Sequence, residues 1–426
     1  MFISFFGTGM NYAGSTWYVK AQTHSTVMVS VMVMLVTLPG LVVPLLGGVL
    51  IDRVDRRYLG IALDITRGLL VLGLGALAWL GRLQIWEIFL MVSLLGAGFA
   101  VYWSTTNALL QEVMTEEKSP QIPLGRLVGA NSAVLIAVQG GMMAAGALVG
   151  FIYERAGLAG ILSIDGATYL ISALCLALLR TGYFAPHQSF GVPSQVASPV
   201  IEAPPEMTEP SVLAVPSEVS VPGGVIAELR EGFAFLRAQP RVLALGVTFS
   251  CMMAGVVSSN VLLVALVMDL LQAGPRGYGW IEFGWAIGAI SGGLAAGALA
   301  RRHPEIVLVA ALAILAVGHA LFPYAPVLAA AVAMNALFGA CRALGGVLTQ
   351  SAIMTTVPRR LMGRTQSAFS MISTLLQLSM SFSLGWLAQH LSLAFAFLVL
   401  GMIYGLAVLS ALRARGLREI APEPAS

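Results

Sequence analysis

The sequence predicts an all-α integral membrane protein with twelve transmembrane helices in two pseudo-symmetric bundles of six. Three observations lead to this fold class: the composition, the number of long apolar stretches, and a pattern that occurs once in each half. Of the 426 residues, 58% are hydrophobic and 10% are charged, and the mean hydropathy is +0.87. A soluble domain carries about 25% charged residues. Most of the surface must therefore face lipid.

The apolar stretches are long enough to cross a bilayer, which takes about 20 mostly apolar residues in a helix. They come as six stretches, a long polar interruption and six more. The first is expected to be a spanning helix rather than a signal peptide, because no basic segment precedes it. The predicted spans are 1–19, 26–51, 59–81, 85–111, 127–152, 158–179, 242–271, 278–300, 305–323, 327–354, 364–388 and 392–413.

One pattern is repeated in the two halves. Residues 47–57 and 292–302 each begin with a glycine pair and end with an arginine pair, and the offset is the same at both ends. Such a repeat indicates a duplicated helical unit, which is the plan of many membrane carriers. We therefore assign residues 1–180 to an N-terminal six-helix bundle and residues 241–415 to a C-terminal one.

The segments outside the two bundles are polar. Residues 181–224 are rich in Pro, Ser, Val and Glu, and we expect a disordered cytoplasmic linker. Residues 225–240 place apolar side chains at helical spacing opposite charged ones, which predicts a short amphipathic helix on the inner membrane face. Residues 416–426 are expected to be a cytoplasmic tail.

Basic residues indicate the orientation, because cytoplasmic loops carry an excess of Lys and Arg. Alternate loops are rich in them, and the opposite loops hold few. We therefore expect both termini in the cytoplasm and the protein in the inner cell membrane. The first set is Arg53, Arg56, Arg57, Lys118, Arg126, Arg301, Arg302, Arg359, Arg360, Arg364, Arg413, Arg415 and Arg418, and the second is Lys20, Arg82, Arg155 and Arg276.

The loop after the second span carries a specific signature. Gly48 is followed four residues later by Asp52, then by Arg53 and by the basic pair Arg56 and Arg57. This spacing resembles the loop between the second and third helices of the major facilitator superfamily. The resemblance implies a conformational latch, in which Gly48 allows close helix packing and Asp52 pairs across the contact. The alternative is that these charges only set the topology. The second copy has Gly297 where Asp52 stands, so only one half carries the latch.

Shorter motifs resemble one branch of that superfamily, the drug:proton antiporters of the macrolide-efflux and enterobactin-exporter type. The chain lacks the Gly-Pro step that antiporters of the superfamily often have in the fifth helix, since Met142 follows Gly141. The matching pieces are Leu38-Pro39-Gly40, Asp64 to Arg67, Gly129-Ala130-Asn131-Ser132, Ile164-Asp165-Gly166 and Tyr278-Gly279-Trp280 through Gly288.

Ionisable residues inside predicted spans are candidates for function, because burying them in a bilayer is costly. Asp165 and Glu282 are the two proton-coupling candidates, since burial penalises the charged form of a carboxyl. The alternative for each is a hydrogen bond between helices. Asp64 and Arg67 are three residues apart on one helix face, so we expect a structural ion pair.

The family resemblance implies that the first, fourth, seventh and tenth helices line a central cavity. Amides and aromatic rings in an apolar cleft suit an amphipathic organic ligand. Arg342 cannot lose its charge and must meet a carboxylate, backbone carbonyls or an anionic substrate. The cavity candidates are Asn11, Trp17, Tyr102, Trp103, Asn107, Asn260, Asn335 and Arg342.

Together these features favour a monomeric secondary transporter in the lipid bilayer, with proton-coupled efflux of a small amphipathic compound such as a drug, macrolide or siderophore. The alternatives are a lipid or lysophospholipid carrier and an uncoupled facilitator. A receptor on this scaffold or a membrane-embedded enzyme is a further alternative, but the sequence has no nucleotide-binding loop and no evident catalytic constellation. We expect no cofactor, no metal site and no nucleic-acid partner.

Overall fold

A computed structural model describes residues 2–51, 56–115, 124–178, 236–299, 304–357 and 359–416. These residues form helices, and the described part of the chain contains no strand. The stretch Leu124–Leu178 is broken at Gly157, whose φ of 59° lies in the left-handed region that suits glycine. We number its two parts α5 (124–156) and α6 (158–178). The other helices are α1 Phe2–Thr23, α2 Thr26–Ile51, α3 Arg56–Trp79, α4 Ile85–Thr115, α7 Pro240–Ala265, α8 Pro275–Leu299, α9 Pro304–Leu321, α10 Leu328–Thr356, α11 Arg359–His390 and α12 Leu393–Gly416.

The prediction of twelve helices is confirmed, and their bounds lie within five residues of the predicted spans except at the end of α7, which ends at Ala265 and is followed by a short π-helix, Leu266–Leu270. Eight stretches of the described residues are long and apolar enough to cross a membrane by composition alone. The helices α1, α2 and α8 are not among these stretches. The predicted linker 181–224 and tail residues 417–426 lie outside the described residues. Of the predicted amphipathic helix 225–240, only the segment from residue 236 onward is described.

The contacts between helices repeat with a period of six helices. The pair α2 and α4 packs closely, as does the pair α8 and α10, and α3 contacts α4 as α9 contacts α10. The contacts between the halves also come as an equivalent pair, because α5 packs against α8 and α2 packs against α11. This pattern fits two copies of one unit related by a pseudo-two-fold axis.

Short turns at 24–25, 80–84, 157, 271–274, 325–327 and 391–392 lie at one end of the bundle, which we call the short-turn end. The connections at the opposite end are those that carry the basic clusters in the sequence. Large apolar side chains such as Leu178 and Leu294 are well exposed along the helices. Such a surface suits contact with lipid.

Close packing of α8 on α10 depends on a row of glycines four residues apart. An added Cβ at Gly284, Gly288 or Gly292 would lie 2.7, 1.7 or 2.3 Å from a backbone oxygen of α10. Small residues at this spacing let helix backbones approach in a membrane, where apolar burial alone does not drive association. The row therefore fixes α8, which also carries Glu282 and contacts the other half.

Gly288→Ala is expected to destabilise the protein by about 1–3 kcal/mol, because overpacking against backbone forces the helices apart. Gly293→Ala is the matched control, since a Cβ at Gly293 meets nothing within 4 Å. Thermal unfolding of the two variants in detergent measures the difference. Equal midpoints for the two variants would contradict the packing described for α8 and α10.

Candidate functional site

Asp165 lies in the interior of the N-terminal half and is fully buried. The side chain of Asn11 on α1 donates a hydrogen bond from Nδ2 to Asp165 Oδ2 at 2.6 Å, and Ser15 donates to Asn11 Oδ1. The second carboxylate oxygen, Oδ1, is buried without a hydrogen-bond partner among the described residues. It lies next to Gly7, where an added Cβ would be 2.5 Å from Oδ1. Asp165 therefore joins α6 to α1 and leaves one oxygen free.

Asp64 and Arg67 form a buried ion pair within the same half. Arg67 Nη2 is 2.5 Å from Asp64 Oδ1, and Ser172 on α6 donates to Asp64 Oδ2 at 2.7 Å. The guanidinium carbon lies 4.7 Å from the ring centroids of both Tyr102 and Tyr169. Stacking on two ring faces is favourable for a guanidinium. The pair thus connects α3, α4 and α6.

A cavity of about 170 Å³ lies between the two halves. Its walls come from α1 and α5 on one side and from α7 and α8 on the other. This placement fits a substrate path between two bundles. The lining residues are Gly9, Tyr12, Ala13, Met142, Gly146, Val256, Asn260, Tyr278, Glu282, Trp285 and Ala286.

Glu282 is half-buried on the wall of this cavity. Tyr278, one helical turn before Glu282 on α8, lines the same cavity. Among the residues that the structure describes, no Lys, Arg or His forms an ion pair with Glu282. A carboxyl group that faces a cavity and forms no ion pair can change its protonation state without breaking one.

A second, smaller pocket of about 20 Å³, which we call the arm, adjoins the cavity on the side of the C-terminal half, and Val256, Asn260, Glu282 and Trp285 line both. The side chains of His319, Asn335 and Arg342 line the arm, together with Phe338 and Tyr404. Asn335 donates from Nδ2 to the backbone oxygen of Ile281 at 2.9 Å, which ties α10 to α8.

The two halves are joined by polar contacts near the short-turn end. Lys20 Nζ is 2.8 Å from Asp269 Oδ2, and Arg276 Nε is 2.5 Å from Glu154 Oε2. Gln389 on α11 accepts hydrogen bonds from Ser25 Oγ and from the backbone of Val27. These contacts hold the halves together at this end.

Backbone and ring contacts add to this closure. Gly150 on α5 is so close to α8 that an added Cβ would lie 2.3 Å from the backbone oxygen of Pro275. Trp17 packs on Tyr278, with ring centroids 5.7 Å apart, and also contacts Tyr153. The short-turn end is therefore closed between the halves.

Comparison with known proteins identifies the family. The sequence profile of the Major Facilitator Superfamily matches residues 1–268, which is more than half of the chain. The chain belongs to the major facilitator superfamily. A search of curated protein sequences finds no match.

Solved structures of this superfamily's fold are similar over nearly the whole chain. A mutant of the nucleoside transporter NupG gives a TM-score of 0.72 at 12% identity, with 97% of each chain covered. A bacterial homologue of the iron transporter ferroportin in an inward-facing state gives 0.64 at 16% identity, covering 97% of this chain and 98% of that one. An auto inhibited POT family peptide transporter gives 0.66 at 13%, covering 100% and 98%. At these identities the likeness shows the fold. Family and fold together make this chain a multi-pass membrane transporter rather than an enzyme.

The superfamily signature lies partly outside the described residues. Asp52 and Arg53 fall in the gap 52–55, while Gly48 is in α2 and Arg56 and Arg57 begin α3. The side chains of these helical residues are not part of the described structure. The latch therefore stays a prediction.

The structure distributes the predicted cavity residues among several places. Asn260 lines the cavity and its arm, and Asn335 and Arg342 line the arm. Asn11 and Tyr102 instead belong to the N-terminal cluster around Asp165 and Arg67. Trp17 lies in the closure at the short-turn end, and the side chains of Trp103 and Asn107 are outside the described part of α4.

Sequence reasoning missed Tyr12 and Tyr278 in the cavity wall and Lys20 in the closure. Lys20 follows the first span, and its burial was not predictable from a loop charge. His319 is the one histidine inside a predicted span, and nothing in the sequence connects it to Arg342. Among the described residues, no three His, Cys, Asp or Glu side chains are grouped so as to hold a metal ion.

Proposed function

We propose that this transporter exports a small amphipathic organic compound in exchange for protons, by alternating access between its two halves. The observation that carries the proposal is Glu282, a carboxyl group on the wall of the cavity between the halves that has Tyr278 on the same wall and forms no ion pair among the described residues. Ionisable groups in such positions mark ion and proton pathways in transporters. The resemblance to drug:proton antiporters supports the direction of transport.

In this proposal Glu282 takes up a proton from one side of the membrane and releases it to the other as the halves move. Substrate and proton compete for the cavity, so binding of one drives release of the other. Asp165 is a second candidate for proton coupling, because its Oδ1 is free. Its burial away from the cavity, however, gives it no direct contact with a substrate.

The short-turn end faces the outside if the basic loops are cytoplasmic, as the charge pattern indicates. The contacts at this end then represent the outer closure, with the cavity facing inward. Breaking the Lys20–Asp269 and Glu154–Arg276 pairs is the step that opens the transporter outward. The Asp52 latch closes the cytoplasmic side in the opposite state. We propose a monomer in the inner membrane with both termini cytoplasmic.

Everted membrane vesicles test proton coupling. Cells that overproduce the protein are first screened for resistance to a panel of amphipathic compounds that includes macrolides, and a radiolabelled hit is then followed in vesicles. Uptake is expected to require an acidic vesicle lumen and to stop when nigericin collapses the pH gradient. Uptake that is unchanged by nigericin would point to an uncoupled facilitator or a lipid carrier instead.

A further inference from the structure

Arg342 is a cation in the interior of the C-terminal half without an anionic partner. No carboxylate of the described residues lies within ion-pair distance of its guanidinium group. Its Nε is buried without a hydrogen-bond partner, and Nη2 contacts only Met253 Sδ, at 3.3 Å. A thioether sulfur is a weak acceptor. Arg342 is thus left with unsatisfied donors inside a membrane protein, where a partner is worth most.

Two other polar groups of the arm, His319 and Asn335, present acceptors. His319 Nδ1 is 2.8 Å from the backbone oxygen of Leu315, so Nδ1 is the donor there and Nε2 is an acceptor. Asn335 uses its Nδ2 on the backbone of Ile281, which leaves its Oδ1 available. Arg342 is therefore the strong donor of the arm, and Arg is well suited to hold a carboxylate.

Size and lining restrict what part of a molecule can enter the arm. Its volume of about 20 Å³ is enough for about one water molecule, which needs roughly 10–15 Å³ measured in this way. The cavity that it joins is larger, at about 170 Å³, and has the apolar walls Val256, Trp285 and Ala286. The arm therefore has room for about one polar atom, such as a carboxylate oxygen that reaches towards Arg342, while the apolar body of the ligand lies in the cavity.

We infer that the substrates of this transporter are amphipathic carboxylates and that Arg342 binds their carboxylate group. The inference rests on the proposed function, since it assigns a substrate class to the same cavity. Glu282 lines both the arm and the cavity without forming an ion pair with Arg342.

Equilibrium binding of matched indole compounds tests this inference. The purified protein is placed in nanodiscs of phosphatidylcholine, which provide no anionic lipid, and binding of radiolabelled indole-3-acetate is measured by scintillation proximity. Indole-3-acetamide and tryptamine serve as the uncharged and cationic competitors. The carboxylate is expected to bind about 10- to 100-fold more tightly than the amide, because a hydrogen-bonded charge is worth about that factor.

Three variants test whether the preference for the carboxylate over the amide depends on Arg342. Arg342→Gln is expected to bind acid and amide equally, Arg342→Lys to keep part of the preference, and Arg82→Gln to behave as wild type, since Arg82 lies exposed in a short turn. A thermal unfolding midpoint close to that of the wild-type protein shows that a variant is folded. Equal affinity of the wild-type protein for acid and amide, or an unchanged preference in Arg342→Gln, would overturn the inference. The binding assay uses no pH gradient. Its result can therefore be interpreted even if the vesicle assay shows that transport is not coupled to protons.

Discussion

Glu282→Gln is expected to reduce proton-driven transport to the level of vesicles without a pH gradient. Glutamine has nearly the same shape as glutamate, but it cannot gain or lose a proton. The two halves should therefore still exchange substrate across the membrane, while the gradient no longer drives accumulation. Loss of gradient-driven accumulation with retained exchange distinguishes a residue that couples transport to protons from one that only supports the fold.

The experiment compares gradient-driven accumulation with equilibrium exchange in everted vesicles. Accumulation against a pH gradient is expected to be lost in Glu282→Gln, and equilibrium exchange of labelled for unlabelled substrate is expected to be kept. Glu87→Gln is the matched control, because Glu87 caps the start of α4 and does not line the cavity. Full gradient-driven accumulation in Glu282→Gln would show that another group carries the proton, and Asp165→Asn would then be the next variant to measure.

Arg67→Met is expected to destabilise the protein by about 3–5 kcal/mol, the cost of leaving the other member of a buried ion pair unpaired. Asp64 has no exposed surface and would keep only Ser172 as a hydrogen-bond partner. The rings of Tyr102 and Tyr169 would also lose the guanidinium that lies between them.

A second substitution separates the pair from the individual residues. The double variant Asp64→Asn with Arg67→Met removes both charges and is expected to recover much of the lost stability. Arg276→Gln is the exposed comparison, with a cost of about 0–1 kcal/mol, because its partner Glu154 is also partly exposed. Thermal unfolding in detergent measures all three. A double variant that is less stable than the single one would mean that the charges themselves, rather than their pairing, hold the cluster.

Most of the fold could be predicted from the sequence because the bilayer imposes simple limits on length and polarity. The break between α5 and α6 was placed between 152 and 158, and it lies at Gly157, where the backbone takes a left-handed conformation. The α8 glycines Gly284, Gly288 and Gly292 stand four residues apart in the sequence, but no close packing of this helix was predicted from them. That α10 is the partner helix could not be predicted either, because a row of small residues indicates a close contact but does not identify the helix that makes it.

The candidate site was harder to predict, because its contacts join residues that are far apart in the sequence. Asp165 meets Asn11 across 154 positions, and no local spacing indicates that pair. Tyr102 was expected in the cavity because α4 was assigned there as a whole helix. Its ring lies instead on the Arg67 guanidinium. Assigning helices to a cavity does not determine which face of each helix points inward.

Movement between the halves is the central claim, and reversible cross-linking of the closed end measures it directly. With Cys175, Cys251 and Cys341 replaced by serine, Glu154→Cys and Arg276→Cys place one thiol on each half at the Glu154–Arg276 contact. A short bifunctional methanethiosulfonate joins them. Transport is expected to stop on cross-linking and to return on reduction, while each single variant treated in the same way remains active. Undiminished transport by the fully cross-linked protein would contradict alternating access between these two halves.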